Sequence, residues 1–394
     1  MIERIYIDNF RTLVNCEIKL QSVSLLLGAN GAGKSSVFDA VELVKYFVGG
    51  AGPVWEVFPS SSLTRWQTLD EQTFELDLRG QEGVFRYALK IKHASDRRQS
   101  RVASESLSFD GRPLFTSKDG EAQLYNDNYG RGPVMTFDWN RSALPAIYSR
   151  PDNRRLTEFK ERLAAVYCVR PCPALMLTDS QEEADVLSRD ASNFASWYRY
   201  VLRQDISRQG DLFRELEQVI EGFQQLLLDG PADGTISLRV LFSPPDTKAS
   251  MQPGCVREQP EPDRQFTLPM VPYINKTMRI YKFGELSEGQ RQLILLYTLL
   301  CGLSDTNRVL LFDEPDNYVS LREIQPWLTA LMDATGRSIS QSIIISHHPE
   351  VIDHLAREKG IWFTRDSAGP TRVGTDKDYD NTLLKPSEVE ARGW

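Results

Sequence analysis

Cysteine and histidine are scarce in this chain. Its 394 residues include five cysteines (Cys16, Cys168, Cys172, Cys255 and Cys301) and four histidines. Cysteines so few and odd in number exclude a disulfide framework and fit a reducing compartment, so a cytoplasmic location is expected. Cys168 and Cys172 flank Val-Arg-Pro, but no second cysteine or histidine pair stands at zinc spacing, which argues against a structural zinc. Long apolar runs are missing too. Nothing approaches the ~18 consecutive apolar residues that a spanning helix needs, so no membrane partner is expected. The opening MIERIYIDNF carries Glu3, Arg4 and Asp8 and reads as a strand, not a secretory signal. Positive charge is in deficit, 46 Lys and Arg against 54 Asp and Glu for a net −8, which excludes wholesale coating of nucleic acid. A local basic groove remains open. Arg150, Arg154, Arg155, Lys160, Arg162 and Arg170 outnumber Asp152, Glu158 and Glu161, a modest surplus that reads as a solvated helix face.

What is present is a change of period along the chain. Apolar alternation predicts strands over 2–7, 15–20 and 22–27, then a helix from Lys34 to about Phe47 that GGAGP (49–53) breaks. Runs at 73–80, 84–93 and 102–110 predict an antiparallel meander. From about Ser149 the spacing turns helical, and 150–228 is expected to be a mainly helical insertion. Its clearest stripe is Leu212, Phe213, Leu216, Val219, Ile220, Phe223 and Leu227. Pro244 to Pro272 is broken by prolines and reads as an exposed loop or linker. The ending alternates: helix 286–303, strand 308–312, helix 320–334, strand 342–346, helix 349–358, strand 361–364. That order predicts a parallel sheet with crossovers. The expected division is 1–140, an inserted arm over 141–274, and 275–394.

Four short segments carry chemistry. Gly28-Ala29-Asn30-Gly31-Ala32-Gly33-Lys34-Ser35 matches G-x-x-x-x-G-K-[ST] at every fixed position, between a buried strand and an apolar-periodic helix. Glycines let phosphate oxygens reach backbone N–H groups, and the helix N-terminus adds partial positive charge. Asn30, Gly31, Ala32, Gly33, Lys34, Ser35 and Ser36 are therefore expected to hold a nucleoside triphosphate. Lys34 would serve the β- and γ-phosphates, and the Ser35 hydroxyl Mg²⁺. RVLLFDEP (308–315) has the form of a buried parallel strand whose carboxyl end carries Asp313, for Mg²⁺, and Glu314, to polarise the attacking water. Leu286-Ser287-Glu288-Gly289-Gln290-Arg291 begins an amphipathic helix capped by Ser287. IIISHHPE (343–350) ends a strand in His347 and His348.

Together these resemble the ABC-type ATPase head of the SMC, RecF and OLD (overcoming-lysogenization-defect) proteins, and most of all the OLD-like prokaryotic AAA-type ATPases. IERIYIDNFRTLVNCEIKL is similar to their usual start, and DASNFASWYRYVL to a helical segment of OLD-like heads. The resemblance covers about 1–140 and 275–365. It implies an α/β P-loop NTPase of ABC type with an N-terminal β meander and a mainly helical insertion. It implies ATP hydrolysis with Lys34, Glu314 and His347 as catalytic residues, His347 matching the switch histidine better than His348. The 286–291 segment resembles the ABC signature, with Glu288 in place of its first glycine. Ser287, Gly289 and Gln290 would then contact ATP bound by a second copy, making a homodimer. For the Q-loop glutamine near the metal, Gln67 and Gln72 are candidates, and Gln72 is preferred.

Three departures limit the resemblance. There are 252 residues between Lys34 and Ser287, more than transporter ATPases hold and too few for a long SMC coiled coil. Only Asn317 of the family's Asn-His-Leu-His-Pro run survives in Asp316-Asn317-Tyr318-Val319-Ser320. With 47 residues after His347, the Toprim nuclease of OLD proteins is not expected, and Asp376-Lys377-Asp378 reads as an acidic turn. The expected function is an ATP-driven dimer switch, the ATPase component of an anti-phage defence system that controls a separately encoded effector such as a Toprim-like nuclease. The alternatives are a RecF-like clamp that grips DNA and a scaffold that binds ATP without hydrolysing it.

Overall fold

The computed structural model describes residues 1–94, 100–231, 234–244, 278–303, 306–366, 369–374 and 385–391. Most of the proline-rich stretch, Cys255 and the Asp376–Asp378 turn lie outside them. Eighteen strands are defined among the described residues. In chain order they are β1 (Ile2–Asp8), β2 (Cys16–Lys19), β3 (Val23–Leu27), β4 (Glu71–Arg79), β5 (Val84–His93), β6 (Ser100–Phe109), β7 (Arg112–Lys118), β8 (Glu121–Tyr125) and β9 (Arg131–Thr136). Then follow β10 (Val166–Val169), β11 (Asp179–Ser180), β12 (Phe223–Asp229), β13 (Ile236–Phe242), β14 (Arg279–Lys282), β15 (Val309–Asp313), β16 (Gln341–Ile345), β17 (Gly360–Arg365) and β18 (Thr371–Gly374). The helices are α1 (Lys34–Gly49), α2 (Val54–Val57), α3 (Arg154–Ala164), α4 (Phe194–Gln204), α5 (Gln209–Val219), α6 (Glu288–Cys301), α7 (Leu321–Ala334), α8 (Pro349–Lys359) and α9 (Pro386–Ala391).

Two compact units result. The first comprises Met1–Pro171, Asp305–Asn317 and Ile324–Trp394. It holds an antiparallel sheet ordered β2-β1-β4-β5-β6-β7-β8-β9 and a six-stranded sheet ordered β10-β15-β16-β3-β17-β18. In the second sheet β10, β15, β16, β3 and β17 are parallel and β18 is the antiparallel edge. Every residue of β3, β15 and β16 is buried, which is why their sequences run apolar without alternating. The antiparallel β5 alternates instead, with Phe85, Tyr87, Leu89 and Ile91 inward. One core joins both sheets through α1: Val37, Phe38, Val41 and Val44 pack with Ile5, Phe74, Leu89, Leu311 and Ile343. Fully burying a side chain of this size contributes about 1.5–3 kcal/mol, so the core outweighs any surface pairing.

The second unit comprises Cys172–Ser304 and Tyr318–Glu323. Here β13 pairs with β12 on one side and with β11 and β14 on the other. The α4 segment buries Phe194, Trp197 and Tyr198, with Phe194 stacked on Phe283 at 5.2 Å. Residues Gln292 to Leu300 of α6 are all buried.

The expected α/β head with its meander is present, and three local readings are corrected. Helices α3, α4 and α5 fall within 150–228 as expected, but strands interrupt them. Val166–Val169 leaves α3 to become β10, because a short apolar run suits a buried parallel strand as well as a helix and its pairing with Val309–Phe312 decides. The helix expected through 228 stops at Val219. Gly222 turns the chain at φ +76° and Phe223–Asp229 pairs with β13. The meander also runs three strands further, through β7, β8 and β9. The compact units cut the chain at places other than 140 and 274: α3 and β10 belong with the first unit and α6 with the second.

Candidate functional site

The parallel sheet orders the chemistry. Val169 is level with Phe312, Asp313 with Ile345, and Ile345 with Leu26. Four adjacent strands therefore end side by side: β10 before Arg170, β15 at Asp313, β16 before Ser346 and His347, and β3 before Gly28. This carboxyl edge is where open α/β sheets hold ligands.

The phosphate-loop glycines are demanded by the backbone. Gly28, Gly31 and Gly33 have φ of +132°, +80° and +103°. A Cβ on Gly33 would lie 2.6 Å from Thr371 Oγ1 and 2.8 Å from Thr12 Oγ1, so close packing excludes it, in addition to any phosphate. Gly33 is the N-cap residue of α1, and Ala29 O accepts the Ala32 N–H at 3.1 Å. Asn30 and Gly31 are exposed at the tip, Ala32 is buried, and Ser35 and Ser36 are half-buried. A cavity of about 490 Å³ opens on Gly28 to Ala32, with Trp362 to Asp366 of β17 and its end as the facing wall and Glu390 of α9 at its side.

Lys34 is buried, and its ammonium donates to the carbonyls of Gly28 and Ala29, the second at 3.2 Å. Burial lowers its pKa, opposed by the charges of Glu390, Glu314 and Asp313. Ser35 Oγ donates to Asp313 Oδ1 at 3.2 Å. Asp313 is 1% exposed. A hydroxyl and a carboxylate converging from α1 and β15 form an all-oxygen donor set, which fits Mg²⁺. Bound there, the ion would neutralise charge on transferring phosphate.

Glu314 adopts φ +56°, unusual for a side-chain-bearing residue, and its N–H is anchored to Ile345 O at 2.8 Å. Asn317 Nδ2 donates to Glu314 Oε2 at 3.0 Å. Asp316 is buried and its pKa raised by that burial. The two histidines have different work. His348 caps α8, its Nδ1 accepting the Glu350 N–H at 3.3 Å. His347 is not a cap, and its Nδ1 hydrogen-bonds Glu390 Oε1 at 3.0 Å beside the cavity.

In the second unit, Ser287 caps α6 in a reciprocal box with Gln290. Ser287 Oγ accepts the Gln290 N–H at 3.2 Å and Gln290 Oε1 accepts the Ser287 N–H at 3.1 Å. Gly289 packs so tightly that a Cβ would lie 2.7 Å from Tyr318 O. Arg291 Nη1 donates to Pro173 O at the buried side.

Gln72 corrects the sequence reading. It is fully buried, its Nε2 donating to Asn9 O (2.9 Å) and Ser62 Oγ (3.2 Å), its Oε1 paired with His93 Nε2 (2.9 Å). Buried and with both ends of the amide engaged, it is held inside the fold and does not face solvent. It locks the turn after β1 to the meander. The residue missed in sequence is Arg170. Its Nη2 lies 3.6 Å from Glu314 Oε2 and its Nε 4.0 Å from Asp313 Oδ2. The available signal was an arginine directly after an apolar VYCV run and before a proline. Three others of that basic cluster are tied down: Arg155 to Asp127 and Tyr129, Lys160 to the carbonyls of Leu144 and Ile147, Arg162 to Glu158.

Residues 1–58 match a family described as "AAA ATPase domain", and residues 172–353 one described as "AAA domain, putative AbiEii toxin, Type IV TA system". No curated protein matches the chain. Among solved structures, an SMC head bound to the C-winged helix domain of ScpA has 13% identity and a TM-score of 0.54, over 97% of this chain and 99% of that one. An SMC head domain with a coiled coil and joint, derived from Pyrococcus yayanosii, has 11% identity and a TM-score of 0.51, over 100% and 99%. The SMC likeness is one of fold. With the two AAA-type matches it supports an ATP-binding ATPase of the ABC/AAA type. Among the described residues no helix is long and apolar enough to cross a membrane.

Proposed function

We propose that this chain binds and hydrolyses Mg·ATP as a cytoplasmic, homodimeric switch of the OLD-like kind. The observation that carries the reading is the 3.2 Å contact between Ser35 Oγ and Asp313 Oδ1, with Lys34 on one side and Glu314 on the other. Ser35 and Asp313 would hold Mg²⁺. The N–H groups from Asn30 to Ser36 and the Lys34 ammonium bind the phosphates and keep the γ-phosphate at the carboxyl edge of the sheet. Glu314 orients a water and takes its proton, and His347 holds a phosphate oxygen from the next strand. The Ser287 helix N-terminus, with Gly289 and Gln290, serves the nucleotide of the second copy, so each pocket is complete only where two chains meet.

The process is proposed to be anti-phage defence, with a separately encoded effector such as a Toprim-like nuclease held or released by the dimer. The toxin–antitoxin wording of the family matched by 172–353 favours this over repair. The RecF-like clamp is less favoured because half of its basic cluster, Arg155, Lys160 and Arg162, is spent on internal contacts. Mass photometry of wild type and Glu314→Gln with and without ATP tests the switch. The variant should lose turnover by at least ~10² and accumulate as an ATP-bound dimer. A monomer with undiminished hydrolysis overturns the reading. DNA affinity that needs ATP and falls steeply with salt would favour the clamp.

A further inference from the structure

Arg170 occupies a position that register, not sequence proximity, creates. β10 pairs in parallel with β15, Val169 lying level with Phe312, so the next residue emerges level with Asp313. Pro171 follows; it has no N–H to continue the ladder and holds Arg170 near extended geometry. The guanidinium is thereby set against both carboxylates, 4.0 Å from Asp313 Oδ2 and 3.6 Å from Glu314 Oε2. Asp313 has its other oxygen on Ser35. A carboxylate that is 1% exposed, next to a second one, is costly unless a cation faces it. Yet the Arg170 side chain is 56% exposed, and at these distances charge, not close hydrogen bonding, holds it. More than half of the side chain faces solvent, which leaves it room to turn.

Resting on the ATPase reading above, we infer that Arg170 is a cis-acting catalytic cation: it faces the Asp313–Glu314 pair, where it competes with Mg²⁺ for Asp313, and presents its fork to a γ-phosphate oxygen when ATP is bound. A planar fork suits this task because two parallel N–H donors match two phosphate oxygens, which a lysine point charge does not. Arg170 leaves Asp313 as that carboxylate becomes a metal ligand, and it remains close to Glu314 and the water that Glu314 orients. The same side chain thus competes with the metal before loading and stabilises transferred charge after it.

The two roles predict opposite signs in two measurements on the full-length chain. Arg170→Ala should lower kcat on the order of 10³-fold, as for cationic fingers in phosphoryl transfer, while binding of fluorescent mant-ATP changes by no more than about threefold. Without nucleotide, Mg²⁺ should raise the melting temperature of Arg170→Ala at several-fold lower concentration than in wild type, because its competitor is gone. Arg170→Lys should restore the wild-type Mg²⁺ midpoint but not the rate, and it stands in if the alanine variant does not fold. A kcat within threefold of wild type, or an unchanged Mg²⁺ midpoint, overturns the inference. If wild type hydrolyses ATP and Glu314→Gln does not, such a result sinks the role of Arg170 alone. If wild type and Glu314→Gln turn over equally, it is the ATPase assignment that falls.

Discussion

Gly28 shows how tightly single residues are constrained. At φ +132° it is in a region that side-chain-bearing residues avoid, and a Cβ would stand 2.0 Å from the backbone oxygen of Phe363. No rotamer relieves a clash with backbone. Gly28→Ala should therefore separate β3 from β17, cost at least about 1 kcal/mol from φ alone and more from the collision, and be read as a fall in urea midpoint. Glu105 is a second such position. It is buried, Tyr87 Oη and Ser142 Oγ donate to its Oε1 at 2.9 and 2.7 Å, and burial pushes its pKa up to about 7. The folded state thus keeps a proton that the unfolded chain releases near its ordinary value of 4.5. Stability from this group is greatest below that value, declines as pH rises towards 7, and is flat above. Glu105→Gln should remove the slope, so that unfolding free energies at pH 5 and pH 8 draw closer by a few kcal/mol, roughly 1.4 per pKa unit.

At the scale of elements, local signals gave the type of most helices and strands, and pairing decided the rest. The α6 start was legible because Ser287 and Gln290 form a cap in the sequence itself. Ser287→Ala should cost about 1 kcal/mol, seen as a lower melting temperature. The turn after β1 was not legible as a lock. Asn9, Gln72 and His93 are far apart in sequence and meet only because β1, β4 and β5 pair in one sheet. Gln72→Ala leaves buried partners unsatisfied and should cost roughly 1–3 kcal/mol, with kcat of the folded protein unchanged. A loss of Mg²⁺ dependence in that variant would restore Gln72 as a metal ligand. The same logic explains 220–229: Phe223 and Leu227 continue a helical stripe, but Gly222 ends it and β13 takes the strand.

For the whole molecule, the arrangement of four strand ends explains why a site spread over residues 28 to 347 is compact. Parallel strands joined by crossovers bring every carboxyl end out at the same edge, so distance in sequence costs nothing at the site. If hydrolysis requires two chains, each contributes one loop and one capped helix to each pocket. Lys34→Ala and Ser287→Arg should then each be inactive alone. Mixed in equal amounts they should recover roughly a quarter of wild-type turnover, since half the dimers are mixed and each has one intact pocket. Steady-state phosphate release measures this, and no recovery would remove the shared pocket. The phosphate loop, Asp313 and Glu314 were legible in this design because their chemistry is local and their strands are buried on both faces. Arg170 was not, because its role depends on which strand lies beside β15.

The sequence by itself determined the loop that must be glycine, the strand that must be buried, the capped helix and the alternating order of the C-terminal third. These follow from φ preferences, hydrophobic period and hydrogen-bond capping, all properties of a few neighbouring residues. Tertiary structure alone decided that VYCV is a strand, that Gln72 is a lock, that His348 caps while His347 faces Glu390, and that Arg170 stands against two carboxylates. Each of those depends on which segments pair across more than a hundred residues or on which polar groups are left to be satisfied once they have, and long-range pairing is settled by the core as a whole.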